Sequence, residues 1–422
     1  MLKKIKALQV RVSKSKDSRT LVSNFGYMML LQITGYVFPL LTIPYLARVI
    51  GVEGFGKIAF AGAVIVWFQT ITDWGFNYTA TRDVAQNREN PEKVSKIFSN
   101  VLWARALLMA ISFSLLLILI TTVPYFQENQ AILLVTFLLI PGHIMFPDWF
   151  FQAMERMKYI TIFNLLSKAL FTAMVFIFIN KKEDFILQPI LMSLGYLTCG
   201  FFSMYIIIVK WQVKIHAPQW RQIMLTTKNS TDIFINNIMP NLYNSFSTVL
   251  LGFYGGSISN GMLDAGRKFV EIGQQFLMVI SRVFFPFLSR KINKHDLYIR
   301  VQMSLAIILF ISLSLAAPLI IDVFFTPEFE PAALVLQILS LSIVFLSLNN
   351  IYGTNYMIIK GYEKSLRNIT IIVSAAGFIL SFPLIHYFDF IGAAITITLT
   401  RILLGGAVML KARKIKQKEL SI

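Results

Sequence analysis

Residues 298–325 read YIRVQMSLAIILFISLSLAAPLIIDVFF, an apolar run whose only charges, Arg300 and Asp322, lie near its two ends. A helix rises 1.5 Å per residue and about 20 apolar residues cross a bilayer, so this stretch is long enough to span with some tilt. Working outward, the same pattern recurs at 21–47, 55–80, 98–123, 131–153, 159–180, 187–209, 233–255, 260–288, 331–358, 368–387 and 390–410. With 56% hydrophobic and only 14% charged residues, the chain is far from a soluble composition. The expected fold is an all-α polytopic membrane protein of about twelve transmembrane helices. The first twenty residues are polar and basic without an apolar core or cleavage site, so the first helix reads as a retained span.

Orientation follows from sorting positive charges by loop, because basic residues near span ends are held on the cytoplasmic side. Of 39 Lys and Arg, 29 fall on one side, four on the other (Arg48, Lys57, Lys181, Lys182) and six within spans. Both termini are expected in the cytoplasm. This topology accounts for most of the +18 net charge, which leaves no reason to invoke nucleic acid. The basic tail also suits contact with anionic membrane lipids.

The two halves echo one another. Gly51 and Gly56 recur as Gly256 and Gly261 at an offset of 205, with Leu46 matched to Leu251 and Gln69 to Gln274. Six spans per half gives parallel repeats, and transporters built this way bind substrate where the halves meet. The expected organisation is a basic cytoplasmic tail (1–20), an N-lobe (21–210), a cytoplasmic linker (211–232), a C-lobe (233–410) and a second basic tail (411–422). The lobes are expected to be related by a pseudo-twofold axis around a central cationic cavity.

The cations inside spans carry that expectation. Arg105, Lys168, Arg267, Lys268, Arg282 and Arg401 lie in stretches where each charge costs roughly 2.5–3.5 kcal/mol at a helix centre, so they are expected to face water and receive an anion. Span eight carries Asp264, Arg267, Lys268, Glu271, Gln274 and Gln275 on one helical face, and Arg282 returns to it. The alternative is an internal pair of Arg267 or Lys268 with Glu271. In span seven, Asn237, Asn241, Asn244 and Thr248 share a face, and in span two Gln69, Asp73 and Asn77 do. Asp73, Glu271 and Asp264 are candidates for a coupling proton or sodium ion, with pairing to a cation as the alternative for Asp73. Pro39, Pro44, Pro141, Pro147, Pro240 and Pro286 are candidate bends.

The single cysteine, Cys199, excludes an internal disulfide, and the four histidines lack ligand spacing. No HExxH, paired CxxC, GxGxxG or phosphate-loop pattern is present, so no metal site and no cofactor are expected.

The stretch Asp73–Ala85 (DWGFNYTATRDVA), continuing through Asn87-Arg88-Glu89-Asn90 to Ile97-Phe98-Ser99, resembles the segment closing span two in Wzx-type polysaccharide repeat-unit flippases. These belong to the multidrug/oligosaccharidyl-lipid/polysaccharide exporter (MOP) superfamily. Trp149–Lys158 (WFFQAMERMK) also resembles that family. The resemblance implies a flippase of the bacterial inner membrane. It would move undecaprenyl-diphosphate-linked O-antigen or capsule units to the periplasmic leaflet by alternating access, coupled to an ion gradient and working with other polysaccharide-assembly proteins. A drug or small-metabolite exporter of the same superfamily shares the architecture, but a cavity for cationic drugs should be rich in acids. A glycan polymerase or ligase, the enzyme alternative, would present catalytic groups on a large external loop, and the external connections here run to only about ten residues.

Overall fold

The computed structural model describes residues 16–290 and 292–420. Most of the expected N-terminal tail, including Lys3, Lys4, Lys6, Arg11 and Lys14, lies outside the described residues, as do Lys291, Ser421 and Ile422.

The helices run in chain order α1 (Lys16–Asp73), α2 (Phe76–Gln86), α3 (Pro91–Thr122), α4 (Pro124–Glu128), α5 (Gln130–Phe137), α6 (Leu139–Met145) and α7 (Asp148–Ala153). They continue through α8 (Met157–Phe178), α9 (Leu187–Tyr205), α10 (Trp220–Ile238), α11 (Ser245–Arg290), α12 (His295–Phe324), α13 (Ala332–Leu348) and α14 (Glu363–Leu420). No strand occurs among the described residues. Within the helices backbone N–H and C=O groups pair with one another, which is what a chain in hydrocarbon requires.

Nine helical segments among the described residues are long and apolar enough to cross a membrane. Three of them run to 61, 70 and 56 residues, and within the long helix of each (α1, α11 and α14) a non-helical residue divides that helix into two legs. Those residues are Gly51 (φ 67°, ψ −178°), Gly256 (φ 72°, ψ −164°) and Asp389 (φ 52°, ψ −132°). Positive φ is cheap only for glycine, so the two glycines matched at offset 205 suit the breaks in α1 and α11. Asp389 is held by Ser259, whose Oγ donates to Oδ2 at 2.6 Å.

Local signals fix the other ends. Asn90 caps α3, its Oδ1 accepting from the Lys93 backbone N–H at 3.0 Å, and Pro91 follows at the first helical position. Pro147 sits in the break between α6 and α7, and Pro240 in a short 3₁₀ turn, Met239–Leu242, between α10 and α11. Pro39 and Pro44 lie inside α1, which continues past them.

The residues expected as a linker divide in two: 212–219 are irregular, and α10 begins at Trp220 and runs straight into the expected span seven. α10 packs on the first half. Trp74 stacks on Phe234 with centroids 3.9 Å apart, Thr79 and Ser230 share a hydrogen bond of 2.7 Å, and Asn241 donates to Thr70 at 3.0 Å. The residues expected as a C-terminal tail continue α14. Ala412 and Ile415 are buried there against Tyr356, Met357 and Val408, and Lys416 pairs with Asp296 at 3.2 Å.

The outer surface is apolar. Ile308, Ile311, Leu315 and Leu319 of α12 are exposed at spacings of 3, 4 and 4, a lipid-facing stripe that a soluble protein would have to cover. The largest core cluster joins α1, α8 and α9 of the first half to α11–α14 of the second. A second, aromatic cluster of Phe98, Trp149, Phe150, Phe151 and Phe163 holds the first half together.

Candidate functional site: a cavity between the halves

A cavity of about 520 Å³ lies where the second leg of α11 faces the first half of the chain. α1 contributes Gly35, Phe38, Thr42 and Gln69; α6 contributes His143; α8 contributes Asn164, Lys168 and Phe171; and α9 contributes Gln188 and Tyr196. The opposite wall is Asp264, Arg267, Lys268, Glu271 and Gln275 of α11. Five of the six stripe residues from Asp264 to Gln275 therefore line the cavity, and Gln274 does not.

Within that wall the charges pair along the helix. Lys268 Nζ meets Asp264 Oδ2 at 3.0 Å, and Arg267 Nε donates to Glu271 Oε1 at 2.7 Å. Both are i,i+4 pairs, the spacing at which helical side chains touch. Arg267 also donates to Thr248 Oγ1 at 3.4 Å. Three cations and two carboxylates line the cavity, a net charge of +1 with His143 neutral. The unneutralised cation is Lys168. Among the described residues it has neither an ion pair nor a hydrogen bond. Its Nζ lies beside Gly35 of α1, where an added Cβ would stand 3.6 Å away, so the missing side chain leaves the ammonium room.

Three of the six intramembrane cations are not among the lining residues. Arg105, 3% exposed, pairs with Asp73 and donates to Asn77 Oδ1 at 2.9 Å. Arg401, 9% exposed, donates to Ser342 Oγ at 2.9 Å and Asn244 Oδ1 at 3.2 Å, inside the second half. Arg282 is exposed and donates to Met278 Sδ at 3.3 Å. Of the polar residues expected to line the cavity, Gln69 and Gln275 do so, Gln275 also accepting from Gln32 at 3.5 Å. Asn77, Asn241 and Asn244 are engaged with Arg105, Thr70 and Arg401, and Asn237 is exposed. Of the candidate coupling carboxylates, Asp264 and Glu271 line the cavity in ion pairs and Asp73 lies outside it, paired to Arg105.

Sequence reasoning missed His143, Asn164, Gln188 and Tyr196. Asn164 carried a usable signal, since Asn164, Lys168 and Phe171 share one helical face. The rings of His143 and Tyr196 meet at a tilt with centroids 4.3 Å apart across α6 and α9, a contact no spacing reveals.

The Arg105–Asp73 pair yields a first prediction. Removing one member of a buried pair costs about 3–5 kcal/mol because the other charge is stranded. Arg105→Ala is expected to lower the amount of folded protein in the membrane severalfold, and Arg105→Ala with Asp73→Ala to restore most of it. Gel-filtration yield of the two variants is the measurement; equal losses in both would refute a structural pair.

Comparison with known families decides the classification. The family described as "Polysaccharide biosynthesis protein" matches residues 21–292, more than half of the chain. The chain belongs to this family. A relative in Escherichia coli (strain K12), named "Putative O-antigen transporter", is 28% identical over 401 residues, covering 93% of this chain and 97% of the relative. A second of the same name, from Shigella dysenteriae, is 24% identical over 398 residues, covering 93% and 99%. Among solved structures, the lipid II flippase MurJ in its inward closed conformation has a TM-score of 0.69 at 14% identity, covering 93% of this chain and 87% of that one. An inward-facing multidrug-resistance MATE transporter of the MOP superfamily has a TM-score of 0.68 at 13% identity, covering 91% and 97%. The family member described here thus has the all-helical, multi-pass membrane fold of MOP-superfamily transporters. Its relatives are named as transporters, not enzymes.

Proposed function

We propose that this chain is a flippase that moves an undecaprenyl-diphosphate-linked oligosaccharide, an O-antigen or capsule repeat unit, from the cytoplasmic to the periplasmic leaflet of the bacterial inner membrane. The legs on either side of Gly51, Gly256 and Asp389 are then separate crossings, twelve in all, forming two six-span lobes with both termini in the cytoplasm. Alternating access between lobes presents the headgroup to each side in turn, and the prenyl chain stays in lipid.

The observation that carries the reading is Lys168. An ammonium without a counter-carboxylate in a half-buried cavity is costly to keep, and the cost is offset when an anion occupies the site. A lipid diphosphate supplies that anion. Gln69, Asn164, Gln188 and Gln275 then offer the dispersed amides suited to sugar hydroxyls, and Phe38 and Phe171 the apolar faces.

Coupling to a proton or sodium ion falls to Asp264 or Glu271, whose pairs with Lys268 and Arg267 must loosen for a coupling cation to bind. Asp73, already neutralised by Arg105 outside the cavity, is the weaker candidate.

The drug-exporter reading keeps one point in its favour: the cavity is less basic than the sequence implied, because two of its three cations are paired. Equilibrium binding to the purified protein separates the two. The flippase is expected to bind an undecaprenyl-diphosphate oligosaccharide at least about tenfold more tightly than a lipophilic cation, and the reverse preference would establish the exporter.

A further inference from the structure

At the Gly51/Gly256 end of the bundle the two halves meet backbone to backbone. A side chain at Gly56 would strike the carbonyl of Ser257, and one at Gly261 would strike the carbonyl of Val52. The contact is reciprocal at offset 205, so each half presents the same glycine to the other. Such close approach is how helices gain packing energy in a membrane, where lipid is as apolar as the side chains.

The residue preceding each glycine breaks the symmetry. Phe55, 5% exposed, meets Phe325 and Phe329 of the second half edge-on, with centroids 6.0 and 5.8 Å apart. Its counterpart at offset 205 is Asn260. Asn260 is 0% exposed, and among the described residues neither its Nδ2 nor its Oδ1 has a hydrogen-bond partner. It lies against Gly252, whose other neighbours are Phe60 and Tyr125 of the first half, so the amide is buried at the seam itself. One half puts an apolar ring into the other; the second half puts an amide with nothing to bond.

We propose that Asn260 is the release element of this seal. The glycine contact and the Phe55 ring hold the end shut. The unmet amide acts against them, because parting the halves here gives it water and ends the penalty of burying it unpaired. The two opposing contributions keep the closed and open forms close enough in free energy for a substrate or ion to shift between them. The proposal rests on the transport reading only in that the halves separate at this end.

Spin labels at Glu128→Cys and Tyr387→Cys, exposed residues near this end in opposite halves, report the separation in a chain whose buried Cys199 is replaced by Ala. Gly261→Ala drives a methyl into the Val52 carbonyl and is expected to enrich the long-distance population. Adding Asn260→Leu, close to isosteric and without the amide, is expected to lower the ratio of long to short distances by about tenfold or more and to raise the melting temperature. Asn260→Leu alone should fold at least as well as the parent, so the test survives failure of the glycine variant. An unchanged distance distribution and melting temperature on removing the amide would overturn the proposal. A shifted distribution in a protein that moves no lipid-linked sugar would instead overturn the proposed function and leave this inference standing.

Discussion

Lys168→Met is expected to lower translocation of a diphosphate-linked oligosaccharide about a hundredfold while the protein stays folded. The size follows from a charged contact in a shielded site, worth about 3 kcal/mol when one partner is truncated, at 1.4 kcal/mol per factor of ten. The folding outcome follows from the sign of the burial term. Lys168 has no partner to strand, so removing its charge relieves a cost, and the melting temperature should hold or rise. Arg267→Met, by contrast, strands Glu271. Lys168→Arg keeps the charge and should keep most of the activity. The check is the rate of leaflet exchange beside the thermal midpoint for each variant. Full activity in Lys168→Met would remove the cation from the mechanism; a lower midpoint would show it to be structural.

The second large effect concerns the α11 pairs. Arg267→Gln removes one cation and leaves Glu271 unneutralised in the cavity, which takes the net charge of its lining from +1 to zero and places a carboxylate near the incoming diphosphate. Translocation is expected to fall at least about tenfold, since opposing like charges at close range costs more than 1.4 kcal/mol. Arg267→Gln with Glu271→Gln returns the net charge to +1 and is expected to recover activity to within a few-fold if Arg267 serves the charge balance. If the double variant is as inactive as the single one, Arg267 contacts substrate itself or Glu271 carries the coupling ion. Varying the proton and sodium gradients on the double variant separates these, because only the second removes gradient dependence.

The all-helical, multi-span fold was legible in the sequence because apolar runs of bilayer length are a strong signal, and the glycine pairs because an offset of 205 needs no side-chain geometry. The stripe on span eight was legible as far as Gln275, Gln274 excepted. It failed at Arg282: helical periodicity predicts a face, and the cavity wall ends seven residues earlier, about 10 Å along the axis. Pairing of Asp73 with a cation was foreseen as an alternative, but not that the cation is Arg105. Its partner Asp73 is 32 positions away, and the choice between serving a substrate and neutralising a neighbour depends on packing that no local spacing encodes. Arg401 is the subtler case. Ser342 of α13 and Asn244 of the turn before α11 accept from its two terminal nitrogens, a pairing that no spacing along its own helix reveals. Lys168 stood out neither by motif nor by spacing. What distinguishes it is the lack of a carboxylate, and only the folded chain displays that.

Leaflet exchange in proteoliposomes tests the central claim most directly, using one undecaprenyl oligosaccharide made with a diphosphate linkage and again with a neutral linkage. A chamber that holds its cargo through the free ammonium of Lys168 should move the diphosphate form at least about tenfold faster, faster still under a proton or sodium gradient, and should lose that preference in Lys168→Met. Equal rates for the two linkages in the unaltered protein, or a preference that survives the substitution, would contradict it.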